Sequence, residues 1–167
     1  MKVGDTVYVT GTLITARDQA HKRALELLRE GKKLPVNLEG SAVFHCGPIV
    51  KREDGKWKIV AAGPTTSIRM EPLEGDFITA LGVRLIIGKG GMGPKTTEAM
   101  KSFGAVYAAF TGGAAVLAAK MIRGVKGVEW LDLGMPEALW ILEVEDFGPL
   151  TVAIDSHGNN VYANVMR

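Results

Sequence analysis

Cysteine is nearly absent from this chain: Cys46 is the one thiol in 167 residues. That excludes an internal disulfide and suits a reducing compartment. It also means that the chain cannot by itself hold a cubane iron–sulfur cluster, which normally takes three or four thiolates. No sign of charge dominates either, since 20 basic and 18 acidic residues leave a formal charge of +2. Neither nucleic acid nor an anionic membrane is therefore expected as the main partner. The opening MKVGDTVYVT contains no apolar run of the signal-peptide kind, so a cytoplasmic location is expected. The longest uncharged stretch, Ser102 to Ala119, includes Gly104, Thr111, Gly112 and Gly113 and reads as soluble core rather than a bilayer span. H-x-x-x-H, C-x-x-C and G-x-S-x-G are all missing, which leaves a zinc site and a serine-hydrolase elbow without support.

What is present fits one globular domain over residues 1–167, with 47% apolar residues, enough to bury roughly 70% of the unfolded surface without staples. Asp5 to Ile14 alternates as a strand around Val7 and Val9. In the following TARDQAHKRALELLREGKK, Thr15 is placed to cap a helix whose stripe is Ala20, Ala24, Leu27 and Leu28, and Gly31 stops it. SAVFHCGPIV and KWKIVAAG read as two strands joined at Asp54-Gly55, a hairpin signal. A polar loop, TTSIRM, leads to a helical run ending at Leu81. VRLIIG then reads as a buried strand, PKTTEAMKSFG as a helix, AVYAAF as a strand and GGAAVLAAKMIRG as a small-residue helix. The remainder predicts strands at Val128–Leu133, Ala138–Val144, Leu150–Ile154 and Val161–Val165, the last two around the turn DSHGNN. The order implies an α/β fold with a mixed sheet rather than a regular doubly wound one.

Gly88, Gly90 and Gly93 of GKGGMG satisfy the spacing G-x-G-x-x-G. A dinucleotide fold would place it on the first strand–helix turn, with an acidic residue about 20 positions later. Here it lies mid-chain, and no acidic residue occurs between Glu98 and Glu129. A P-loop fails because Pro94 separates Gly93 from Lys95. Nucleotide binding at Gly88–Gly93 is the weaker alternative; what survives is a glycine-rich backbone with Lys89 inside it, suited to a small anion or simply to a tight turn. In GPTTSIRM, Arg69 offers a rigid fork for a carboxylate beside the hydroxyls of Thr65, Thr66 and Ser67. Arg17 sits in a first helical turn, where a cation opposes the dipole, and His21 follows four residues on, expected as a partly exposed helix histidine or an auxiliary ligand group. His45 and Cys46, neighbours on a strand, should point to opposite faces, with Cys46 a buried small hydrophobe. His157 belongs to a turn. The kit is cationic and hydroxylic, and it lacks an acid/base pair or a metal set: half of an active site for a small polyanion.

TARDQAH, HCGP, GPTTSIRM, IIGKGGM and the late ALWILEVEDFGP and TVAIDSHGN, taken together and in order, resemble the β subunit of class I fumarases and L(+)-tartrate dehydratases, which is also the C-terminal domain of single-chain class I fumarases. The resemblance runs from about Gly4 to Tyr162. It implies a swivelling β/β/α domain and reversible hydration of fumarate to malate, with tartrate dehydration as the alternative. It further implies a [4Fe–4S] cluster held by an α subunit that carries the cysteines, a site between the subunits, and paired αβ units. By motif, Arg17 and Arg69 resemble clamps for the substrate carboxylates, Lys89 a further cationic contact in the loop with Gly90, and Thr65 the proton-abstracting base. Asp18, His21 and Thr66 are secondary candidates. Glu71 stands where relatives are expected to carry aspartate.

Overall fold

The computed structural model describes residues 1–110 and 115–163. In chain order its elements are β1 (Thr6–Thr15), α1 (Asp18–Arg29), β2 (Ala42–Phe44), β3 (Ile49–Glu53), β4 (Lys56–Ala61), a 3-10 turn (Ser67–Met70), α2 (Glu71–Leu81), β5 (Leu85–Gly88), α3 (Pro94–Phe103), β6 (Val106–Phe110), α4 (Ala115–Lys120), β7 (Ile122–Glu129), a second 3-10 turn (Leu131–Leu133) and β8 (Leu139–Ile154). Strand alternation divides the buried side chains between two cores. Ile14, Val43, Ile86 and Tyr107 point toward the core that also takes Ala20 and Ala24 of α1, Phe77 and Ile78 of α2 and Met100 of α3. Their chain neighbours Leu13, Phe44, Ile87 and Ala108 point the other way, onto Trp140, Leu142 and Phe147 of β8.

β1, β2, β5 and β6 run parallel in that order, and β6 then pairs antiparallel with β8. β8 also pairs antiparallel with β1, from Thr6↔Thr151 to Ile14↔Ile141, which closes a ring of five strands. β7 lies along the other edge of the first half of β8. The sheet is therefore mixed and the class α/β, as expected. β3 and β4 form a separate hairpin whose turn residues Asp54 and Gly55 have φ of 52° and 75°, the left-handed pair that the Asp-Gly signal predicts. Among the described residues, no helix is long and apolar enough to cross a membrane.

Several expectations change. SAVFHCGPIV is two strands in different sheets, β2 and β3, because His45 to Pro48 leaves the sheet between them. Thr15 does not cap α1; it ends β1, and its hydroxyl accepts the amide of Trp140 at 3.1 Å, while Arg17 takes the N-cap position. Among the described residues of GGAAVLAAKMIRG the helix spans Ala115–Lys120, and Ile122 onward joins β7 because the edge of β8 offers Ile122 a partner in Val144; residues 112–114 lie outside the described residues. β7 ends at Glu129, so Val128–Leu133 is a strand only at its start, and Leu131–Leu133 is a 3-10 turn. Ala138–Val144, from Leu139 onward, and Leu150–Ile154 belong to one sixteen-residue strand. The segment EDFGP between them reads as a turn in sequence, but the pairing with β1 absorbs it as irregular register with Asp146 at φ 50°, the behaviour of a bulge. Val161 to Ala163 is a turn rather than a strand, and residues 164 and 165 lie outside the described residues.

Candidate active site

Register brings the candidates together. Thr15 pairs with Phe44, and Phe44 with Ile87, so three parallel strands end side by side. The segments leaving them begin Ala16-Arg17, His45-Cys46-Gly47 and Gly88-Lys89-Gly90. In parallel sheets this carboxyl end is where ligands bind. The chain between β4 and α2 lies across the same end: Thr65 donates its amide to the His45 carbonyl at 2.7 Å, Thr66 forms a bridge with Lys89, and Ser67 donates its amide to the Lys89 carbonyl at 2.9 Å. Arg69, in the 3-10 turn, reaches Asp18 at the start of α1 at 3.0 Å. Of the eight candidates, Arg17, Thr65, Arg69, Lys89 and Gly90 with the secondary Asp18 and Thr66 thus occupy one end of the sheet, and the secondary His21 lies buried behind it.

Their side chains differ in how committed they are. Lys89, Gly90, Thr66 and Arg69 are exposed, and Arg17 and Thr65 are half-buried. Lys89 makes no ion pair among the described residues, and Arg69 shares its charge with Asp18. The Arg17 guanidinium lies over the backbone of Gly47, where a Cβ would collide with it. Its buried Nε has no hydrogen-bond partner among the described residues, Glu137 being 3.7 Å away. A buried guanidinium nitrogen left without a partner is costly, and an anion would relieve it. Three cations with hydroxyls between them can hold a small dianion.

Behind this face lies a network that the sequence did not announce. His21, His45, Ser67, Glu74 and Tyr107 are fully buried. The Glu74 carboxylate accepts from Nε2 of His21 at 2.8 Å through one oxygen and bonds Nε2 of His45 through the other. His21 Nδ1 lies 2.8 Å from the Arg17 carbonyl oxygen, and His45 Nδ1 lies 2.8 Å from Ser67 Oγ. The Tyr107 hydroxyl donates to Ser67 Oγ at 3.0 Å. Gly88 permits this crowding, since a Cβ there would overlap Ser67 Oγ. His21 is therefore not the partly exposed helix histidine expected. Burial opposes charge on His21, but the carboxylate of Glu74 outweighs it and raises the pKa; on His45 burial prevails and lowers it. Burial alone would raise Glu74, yet the two imidazoles bring its carboxyl down to about 2. His45 and Cys46 do face opposite cores: His45 sits against Glu74, and Cys46 packs with Phe44 and Trp140.

The two imidazoles and the carboxylate have ligand atoms within 4.8 Å of one another, a set that a metal could use. Direct hydrogen bonds already occupy all of them. Cys46 is buried, which pushes its thiol up to about 12, so it is a poor metal ligand or nucleophile. The glycine loop does join β5 to α3, but the helix start is taken: Glu71 accepts the amides of Gly93 at 2.6 Å and Thr96 at 2.8 Å. A nucleotide phosphate would have to displace that carboxylate.

The Fumarase C-terminus family matches residues 1–165. The chain is 51% identical over 163 residues to the L(+)-tartrate dehydratase subunit beta of Escherichia coli strain K12, covering 98% of this chain and 80% of that protein. It is 48% identical over 168 aligned positions to a putative L(+)-tartrate dehydratase subunit beta of Methanocaldococcus jannaschii, spanning this chain and 86% of that one. It is also 46% identical over 168 aligned positions to a putative class I fumarate hydratase of Geobacillus stearothermophilus, of which it covers 32%.

Proposed function

Because this chain belongs to the Fumarase C-terminus family, we propose that it is the β subunit, a single swivelling domain, of a two-subunit hydro-lyase that interconverts fumarate and malate. The observation that carries the reading is the gathering of Arg17, Arg69 and Lys89 at one end of three parallel strands. In the dehydration direction, malate loses a proton from C3 and hydroxide from C2. Arg17 and Arg69 bind the two carboxylates, Lys89 and the Gly90 backbone add a cationic contact, and Thr65 takes the proton. A hydroxyl is a weak base, so this assignment relies on the surrounding cations to favour the alkoxide. A [4Fe–4S] cluster on the partner subunit would supply the Lewis acid that accepts the hydroxyl. The one thiol of this chain, Cys46, is buried among apolar side chains, which supports a cluster held by the partner. The complex would be cytoplasmic and built of paired αβ units, with neither nucleic acid nor membrane as partner.

Tartrate is the second reading, favoured by the 51% identity to a tartrate dehydratase subunit. The deciding experiment purifies the tagged chain without oxygen, together with its partner, and assays fumarate hydration and tartrate dehydration side by side. Malate formation supports the first reading and oxaloacetate from tartrate the second. A chain that brings down no iron-bearing partner and turns over neither acid overturns both.

A further inference from the structure

The partners of the buried network dictate where its protons lie. A carbonyl oxygen can only accept, so His21 must donate Nδ1–H to the Arg17 carbonyl. If that imidazole were neutral, Nε2 would present a lone pair to the Glu74 carboxylate 2.8 Å away, and two acceptors would face each other in a site without water access. A proton is required between them, and it belongs to His21, because imidazole is the more basic group and the His45 N–H on the other oxygen favours the ionised carboxylate. On the other carboxylate oxygen, His45 must donate Nε2–H. If His45 is neutral, its Nδ1 is bare and accepts from the Ser67 hydroxyl, whose oxygen accepts in turn from Tyr107. Each hydrogen bond then has one donor and one acceptor, and the net charge is zero. The groups facing His21 are Glu74 and Phe77 of α2, His45 beyond β2, and Asp18 of its own helix, which is drawn away by Arg69.

The members of this network also hold the candidate site by its main chain. His21 holds the Arg17 carbonyl, the His45 carbonyl holds the Thr65 amide, and the Ser67 amide holds the Lys89 carbonyl. We propose that Ser67, neutral His45, ionised Glu74 and cationic His21 form a strut of fixed protonation that sets the separation of Arg17, Thr65 and Lys89, and so acts as positioning residues for the dicarboxylate. The positioning role rests on the function proposed above; the protonation pattern does not. The raised pKa of His21 and the lowered ones of His45 and Glu74 agree with it.

Glu74→Gln discriminates well because it preserves shape. An amide can accept from His45 and donate to His21, so every bond survives only if His21 gives up its charge. The first measurement is a long-range proton–nitrogen correlation spectrum of the three imidazoles in the full chain near pH 8. The expected result is one ring protonated on both nitrogens, absent in His21→Asn, and one ring protonated on Nε2 alone, absent in His45→Asn. In Glu74→Gln the doubly protonated ring should become singly protonated. Two singly protonated buried rings in the unaltered chain would overturn the pattern while leaving the hydro-lyase reading intact. The second measurement is on the assembled enzyme: Tyr107→Phe and Ser67→Ala should raise KM for the dicarboxylate about tenfold and leave kcat within about twofold. A fall in melting temperature with KM unchanged would mean a merely structural network and overturn the positioning role. Lack of turnover by the unaltered complex would instead overturn the proposed function, with the spectrum still deciding the protonation pattern.

Discussion

Arg69 gives one nitrogen to Asp18 and leaves the rest of its fork facing solvent at the sheet end. A lysine there keeps the charge but loses bidentate geometry. In the proposed reading Arg69→Lys should lower kcat/KM for fumarate about 100-fold, ~2.7 kcal/mol of transition-state binding, without altering the denaturation midpoint. Gly47 gives a more indirect test of Arg17. Its backbone accepts alanine, but the new methyl would collide with the guanidinium. Gly47→Ala should therefore displace Arg17 and raise KM about tenfold in a protein that still folds, as steady-state kinetics and a melting curve together would reveal. The cations were legible in sequence because arginine at a helix start and lysine in a glycine turn stand out against their surroundings. Glu74 was not. In EPLEGDF it looks like any helix glutamate, and what distinguishes it, two imidazoles from positions 21 and 45, exists only once α1, α2 and β2 have packed.

At the scale of elements, Glu71 ties two helices together. It stands at the first position of α2 and caps α3 through the amides of Gly93 and Thr96. This gives a physical role to the glutamate noted where aspartate is expected. Glu71→Ala should destabilise the protein by about 1–2 kcal/mol, measurable by urea denaturation, with faster hydrogen exchange at Thr96. The helices α1, α2 and α3 and the hairpin of β3 and β4 were legible because their signals are local: period, stop residues and the Asp-Gly turn. β7 and the single length of β8 were not, because each is decided by an edge supplied from afar. Small residues favour a helix through Ala119, and the chain leaves it only where β8 offers hydrogen bonds.

For the whole molecule, acid should be the main threat. Glu74 and Asp155 both have folded pKa values of about 2. For Asp155, burial pulls upward but is outweighed by the Asn159 side chain and by the amides of Val3, His157 and Asn159. The ordinary values are 4.5 for Glu74 and 3.8 for Asp155, so the unfolded chain takes up protons that the folded one refuses. The stability these groups contribute is complete above the ordinary values and drains as pH falls toward about 2. His45, with its pKa lowered, adds to the loss below 6.5. The urea midpoint should fall steeply from about pH 4.5 to about pH 2, and Asp155→Asn should start lower and fall less steeply. The closed ring carries a different consequence, one for the chain as it is made. Among the described strands β1 is made before all the others, yet it pairs along most of its length with β8, which is made after them. At about 5–20 residues per second, translation from one to the other takes on the order of ten seconds. Throughout that interval an edge of β1, with Tyr8 exposed upon it, stands open to any other extended strand nearby. Shielding of β1 until β8 emerges would protect the newly made chain, and a ribosome stalled before Leu139 would release a product that lacks the strand closing the ring.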